Sequence, residues 1–262
     1  MAASKKILVF DSGLGGLTVY REIVAALPNP DFVYAADDAA FPYGALAEPA
    51  LIARVVKVIG ELIAAERPDL IVVACNTAST IALTELRKTY ALPFVGTVPA
   101  IKPACADSVT RQVSVLGTEA TVKREYTRAL IRDFAGDCAV TLVGSKRLAS
   151  YAEAELVGTP VEDTALAAEI AACFVNHGAR TDTIVLACTH FPLLLERLRR
   201  IAPWPVNFID PAPAIARRVV DLLGPVTAGA GSSRAVFSSG HPPAAVLRRF
   251  GIGTDTATAT TG

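Results

Sequence analysis

The chain has 262 residues, 52% hydrophobic and 19% charged, with 25 basic and 25 acidic side chains that cancel to zero net charge. That length suits one large domain or two ordinary ones of about 100–200 residues, and the composition excludes a chain disordered throughout. Zero net charge argues against a nucleic-acid partner held by phosphate neutralisation, and no stretch approaches the ~20 apolar residues that span a bilayer.

The elements follow in chain order. The run ILVF (7–10) is too short for the apolar region of a signal peptide and reads as a first strand. DSGLGGLT then opens a helix over Leu17 to Leu27. A strand FVYA (32–35) leads to a loop holding Pro42, Tyr43 and Gly44. Val55, Val58, Ile59, Leu62 and Ile63 form the i, i+3, i+4, i+7, i+8 stripe of an amphipathic helix. Further apolar runs lie at 70–74, 94–98, 113–117, 139–143, 183–187 and 206–210. They are β-branched and apolar on both parities, as expected for strands covered on both faces. The tail adds a helix-like 213–223, a strand at 235–239 and the segment PPAAVLRRF (242–250). TDTATATTG at the C-terminus has little to bury and is expected to fray. Strands alternating with helices give α/β architecture with parallel sheets.

One internal repeat organises these elements. Arg67-Pro-Asp-Leu-Ile-Val-Val-Ala-Cys-Asn-Thr77 matches Arg180-Thr-Asp-Thr-Ile-Val-Leu-Ala-Cys-Thr-His190, and Arg67 to Arg180 and Cys75 to Cys188 are both 113 positions apart. ILVFDSG (7–13) is echoed more weakly by VSVLGTE (113–119). The expectation is two pseudo-symmetric open parallel-sheet domains with the active site in the cleft between them. Residues 1–98 with 210–262 form the first, the C-terminal segment packing back, and 99–209 form the second.

Ligands of open α/β sheets bind at the carboxyl ends of strands. Four polar turns fall there: Asp11-Ser12, Cys75-Asn76-Thr77, Thr118 to Thr121, and Cys188-Thr189-His190. Each is expected to open a helix whose amide end favours an anionic small molecule. Five cysteines, an odd number, do not suggest a disulfide framework and fit a reduced, cytoplasmic protein. Cys105, Cys138 and Cys173 have small or apolar neighbours and read as packing residues, whereas Cys75 and Cys188 share one position of a duplicated turn. Asp11 reads equally as a helix cap and as a catalytic group. His190 is placed to orient a partner or relay protons, while His177 and His241 read as surface residues. A metal site lacks a fourth ligand and a C-x-x-C knuckle. Ser12 does not sit in a G-x-S-x-G elbow, and DSGLGG lacks the Gly-Lys ending of a phosphate loop.

Two thiols flanking one carbon suit stereochemical inversion. One thiolate removes the α-proton and the opposing thiol protonates the other face. Without an electron-sink cofactor, the carbanion charge falls to hydrogen-bond donors such as Asn76, Thr77, Thr189 and backbone amides.

FDSGLGGLTV (10–19), FPYG (41–44), ACNTAST (74–80), LGTEAT (116–121) and LACTHFPLL (186–194) together resemble the glutamate racemases of the aspartate/glutamate racemase family. The resemblance runs from residue 7 to about 215. It implies a cofactor-independent, metal-free enzyme that interconverts L- and D-glutamate and supplies D-glutamate for peptidoglycan. Charge and the lack of a long apolar stretch give the expectation of no nucleic-acid or membrane partner, and the resemblance implies pairing as a homodimer. Cys75 would act on D-glutamate and Cys188 on L-glutamate, assisted by Asp11 and His190. Asp11, Ser12, Tyr43, Gly44, Asn76, Thr77, Thr118, Thr121, Thr189 and His190 would hold the substrate. Either Glu153 or Glu155 would supply an acidic group near the site. GTVPAIKPA (96–104) departs from the usual family form. Aspartate or hydantoin racemases, decarboxylases, and a non-catalytic two-lobed amino-acid binding protein are the alternatives.

Overall fold

β-branched runs that are apolar on both parities form strands only where both sheet faces are covered. A computed structural model describes residues 5–224 and 231–253. The TDTATATTG segment lies outside the described residues. In chain order the elements are β1 (Lys6–Asp11), α1 (Leu17–Ala26), β2 (Asp31–Ala36), α2 (Glu48–Glu66), β3 (Leu70–Val73), α3 (Asn76–Thr89), β4 (Phe94–Gly96), α4 (Ile101–Asp107) and β5 (Gln112–Thr118). There follow α5 (Glu119–Lys123), α6 (Glu125–Phe134), β6 (Ala139–Ser145), α7 (Leu148–Leu156), α8 (Asp163–Ile170), β7 (Asn176–His177), β8 (Ala179–Arg180), β9 (Thr183–Ala187), α9 (Leu195–Ile201), β10 (Asn207–Ile209), α10 (Ala212–Leu223), β11 (Ser233–Phe237) and α11 (Ala244–Arg249). The chain divides into two units at Thr97/Val98 and again at Pro211/Ala212.

The first unit holds a five-stranded sheet in the order β11-β2-β1-β3-β4, every pair parallel. Its central strands are buried along their apolar lengths, Ile7 to Phe10 and Leu70 to Val73. Of the predicted stripe of α2, Val55, Ile59 and Leu62 are buried and share a cluster with Leu8, Phe10 and Ile71, joined by Leu51, while Val58 and Ile63 are half-buried at its margin. The second unit holds a parallel four-stranded sheet, β10-β9-β5-β6. β6 departs from the expectation of strands covered on both faces. It is the sheet edge, and Val140 to Leu142 are only half-buried. A small antiparallel hairpin, β7-β8, was not expected. Its exposed two-residue strands carry no hydrophobic period.

The repeat is structural down to the register. The order β2-β1-β3-β4 recurs as β6-β5-β9-β10. Ile7 pairs with Leu70, and Val113 with Thr183, so the echo between 7–13 and 113–119 aligns the two halves. The recurring aspartate has the same job in both. Asp69 N–H donates to Lys6 O (2.8 Å) while its carboxylate accepts the Lys6 amide (2.9 Å). Asp182 N–H donates to Gln112 O (3.2 Å) while its carboxylate accepts the Val109 and Thr110 amides, both at 2.8 Å. Each thus ties the start of one strand to the segment that enters its neighbour.

The halves are also interleaved. After β4 the chain enters the second unit, where α4 packs on α6 and β9. After β10 it returns to the first, where α10 packs on α1 and β4. Both crossings carry Pro-Ala-Ile, at 99–101 and 213–215. β11 adds a strand to the first sheet that the second lacks.

Candidate functional site

In the first unit the polar residues gather where β1, β2 and β3 end. Asp11 closes β1 and is fully buried. Its Oδ1 accepts the Gly13 amide at 3.0 Å. The N-cap position of α1 falls to Gly16, five residues further on, so Asp11 is not the N-cap residue of that helix. Gly16 lies against the aspartate so closely that a Cβ there would fall 2.6 Å from Asp11 Cβ. Cys75 follows β3 and occupies the N-cap of α3. The Ala78 amide points at its sulfur (3.5 Å), and Ser12 Oγ lies 3.6 Å from it. A helix amide end beside sulfur favours thiolate. Asn76 and Thr77 begin α3 and are buried. Asn76 Nδ2 reaches Thr97 Oγ1 at 3.4 Å, while Asn76 Oδ1 has no protein partner. A buried carbonyl without a donor is costly, and it is available to a ligand's N–H.

Tyr43 and Gly44 lie in a short 3-10 turn, Tyr43–Ala45. The Tyr43 hydroxyl donates to Asp37 Oδ2 at 2.5 Å. Asp37 is fully buried and also accepts Arg54 Nε and Nη2, each at 2.6 Å. Burial alone would raise the Asp37 pKa; bonds from Arg54, Tyr43 and Ser238 outweigh it and hold the carboxyl below its ordinary range. Burial and the adjacent carboxylate push the Tyr43 phenol upward, so it stays protonated. Asp37 and Arg54 were missed in the sequence. The available signal was an aspartate directly after a buried strand, as at Asp11.

In the second unit Thr118 ends β5 and caps α5, accepting the Thr121 amide at 3.2 Å. The two hydroxyls are 3.0 Å apart. Cys188 follows β9, with its sulfur 3.8 Å from His190 Nδ1. Thr189 and His190 are buried. His190 Nε2 lies 2.8 Å from Glu153 Oε1 on α7. Glu155 points elsewhere, pairing with Arg197 (2.6 Å) and accepting the Val161 amide (2.6 Å). The open choice between the two acids therefore falls to Glu153. One expectation fails: Cys188 does not cap a helix. A 3-10 turn, Phe191–Leu194, intervenes before α9, and Pro192 at its start has no amide to donate. The two thiols are thus served differently, Cys75 by a helix end and Cys188 by an imidazole.

The remaining cysteines are packing residues. Cys105 and Cys173 are buried, and burial pushes both thiols up to about 12. His177 and His241 are exposed. Among the described residues no cluster of three or more His, Cys, Asp or Glu is placed to hold a metal ion, and no helix is long and apolar enough to cross a membrane.

Residues 7–219 match the Asp/Glu/Hydantoin racemase family. The chain belongs to that family. A glutamate racemase of Brucella anthropi is 52% identical over 252 residues, 94% of this chain and 91% of its own length. One from Brucella canis is 54% identical over 225 residues, covering 85% of this chain and 81% of the relative. Among solved structures, Escherichia coli glutamate racemase, in complex with L-glutamate and an activator, UDP-MurNAc-Ala, superposes with a TM-score of 0.89 at 40% identity, covering 98% of each chain. Every polar strand end described above, from Asp11 to His190, falls within the stretch matched to the Asp/Glu/Hydantoin racemase family.

Proposed function

We propose that this protein interconverts L- and D-glutamate without a cofactor, with Cys75 and Cys188 as its two proton-transferring thiols. The observation that carries the reading is the duplicated strand end. Two buried cysteines occupy the same place in two sheets of the same strand order, each beside its own polar neighbours. Similarity to glutamate racemases over nearly the whole chain, and the L-glutamate bound to the Escherichia coli protein, support glutamate as substrate.

In this scheme one sulfur, as thiolate, takes the α-proton and becomes a thiol. The electron pair stays on the α-carbon as a carbanion delocalised toward the carboxylate. The opposite thiol gives its proton to the other face and becomes the thiolate. The reverse reaction exchanges the roles. By the family resemblance Cys75 serves D-glutamate and Cys188 serves L-glutamate. Asp11 and His190 handle protons beside them, and Glu153 orients the imidazole. Ser12, Tyr43, Gly44, Asn76, Thr77, Thr118, Thr121 and Thr189 hold the amino group and carboxylates, and fixed donors among them meet the developing charge. Supply of D-glutamate for peptidoglycan, a cytoplasmic location and homodimer formation belong to the same proposal and rest on the same resemblance.

The test is α-proton exchange in heavy water, started from each pure enantiomer. Cys75→Ala should keep exchange of L-glutamate and lose that of D-glutamate; Cys188→Ala should do the opposite. Net racemisation should fall in both by at least roughly 10²–10⁴-fold. Racemisation at parental rate in either variant overturns the two-thiol scheme. A circular-dichroism assay on glutamate, aspartate and hydantoins tests the substrate. Rotation lost with aspartate or a hydantoin but not with glutamate overturns that assignment.

A further inference from the structure

We propose that Arg54 and Asp37 are positioning residues for the Tyr43–Gly44 turn, and through it for a carboxylate of the substrate. This deepens the glutamate reading above and rests on it. Residues 37–47 join β2 to α2 with only two short 3-10 turns of their own. A segment of that kind takes its precision from anchors supplied by rigid elements.

Such anchors come from α2, β11 and β1. Arg54, on α2, grips Asp37 with two parallel bonds of 2.6 Å. The same carboxylate accepts the Tyr43 hydroxyl, so α2 is linked to the turn through one buried group. A second comes from β11, the strand without a counterpart in the second sheet. Just beyond it, the Ser239 amide (2.9 Å) and hydroxyl (2.5 Å) both donate to Asp38, and the Ala39 amide donates to Ser238 Oγ (3.0 Å). The Asp37 amide also donates to Asp11 O at 2.9 Å, which ties the start of the segment to the end of β1. Tyr43 completes the link to the chemistry. Its ring meets Phe10 (centroids 6.5 Å apart) and shares one apolar cluster with Cys75. Movement of the ring therefore moves the turn relative to the sulfur.

Stability alone does not account for this arrangement. Asp37 is fully buried while the Arg54 side chain is 38% exposed, so the carboxylate loses solvation and the half-exposed pair returns only modest stability. What the pair adds is direction. The planar fork of Arg54 fixes both carboxylate oxygens, and the carboxylate fixes the hydroxyl. The hydroxyl is thereby occupied, which leaves the backbone of the turn to meet the substrate.

A group that only places a carboxylate contributes equally to bound substrate and transition state, so its loss raises KM and spares kcat. Tyr43→Phe keeps the ring and removes one bond; Arg54→Gln removes the fork. Each should raise KM for both enantiomers about tenfold, with kcat within about threefold. The double variant should be no worse than the more affected single one, because both act through Asp37. Arg54→Lys should recover part of the loss. If Arg54→Gln fails to fold, Tyr43→Phe carries the test alone. An active parent whose variants have KM within about twofold, with lowered melting midpoints, overturns the positioning role and leaves the glutamate reading intact. A parent that does not racemise glutamate overturns both.

Discussion

At the scale of single residues, the pairing of His190 with Glu153 shows where sequence reading stops. The motif Cys188-Thr189-His190 identifies the histidine, but SYAEAELVG offers two acids. Residues two apart on a helix point about 200° away from each other, so only one of them can face a given neighbour. Which one does so depends on how α7 is rotated, and that is set by packing of Leu148, Ala149 and Ala152 rather than by the acids themselves. Glu153 meets His190, and Glu155 joins Arg197. The two therefore predict opposite phenotypes. Glu153→Gln should lower kcat for glutamate racemisation by about tenfold or more, because the imidazole loses the carboxylate that orients it. Glu155→Gln should leave kcat near parental and cost about 1 kcal/mol of stability, the usual worth of a half-exposed ion pair with one amide bond. Steady-state kinetics beside thermal melts separates the two. Asp11 was ambiguous for a related reason. Its cap reading rested on proximity to a helix, and Gly16 takes that position while Asp11 turns its carboxylate back to Gly13.

Among elements, the central strands were the most legible part of the molecule. A strand apolar on both parities has few alternatives in a chain this long, and β1, β2, β3, β5 and β9 match their runs to within a residue or two. Edges were less legible. β6 reads like a central strand but lies at the margin, because neighbour order is a tertiary choice that composition does not encode. The loop glycines were legible as punctuation and not as packing. Gly16 is needed for close approach: its backbone is ordinary right-handed helix, yet a methyl group there would meet Asp11 Cβ at 2.6 Å and its carboxyl carbon at 3.1 Å. Gly16→Ala should therefore displace Asp11 or the start of α1. The expected cost is about 1–3 kcal/mol, as for other overpacked core sites, with a loss of α-proton exchange beyond what the melting shift explains. Chemical denaturation and exchange measured on the same sample would reveal a tolerated methyl group as unchanged values in both.

At the scale of the whole molecule, the duplicated braces give the two sheets a shared acid sensitivity. Asp69 and Asp182 occupy the same place in the repeat, and each is tied to the neighbouring strand entry. In both, burial tends to raise the carboxyl pKa, but hydrogen bonds overcome it and the net shift is downward. For Asp69 these come from Lys5 and the Lys6 amide, and for Asp182 from Ser108, Thr183 and the Val109 and Thr110 amides. Asp37 behaves alike in the first unit. A carboxyl depressed in the folded state adds stability in full above its unfolded value of about 3.9. That contribution disappears as pH falls through the lower folded value. Stability should thus be flat between about pH 5 and neutrality and should drop steeply below about pH 4. The braces recur in both units, so protonation weakens both sheets over one pH range. A single acid transition should result, seen together by tryptophan fluorescence from Trp204 in the second unit and by loss of helical circular dichroism across the chain. Asp69→Asn and Asp182→Asn should each flatten the acid limb and lower the midpoint at neutral pH, because an amide accepts fewer of the same bonds. An acid limb that keeps its parental slope in both variants would assign the acid sensitivity to other carboxylates.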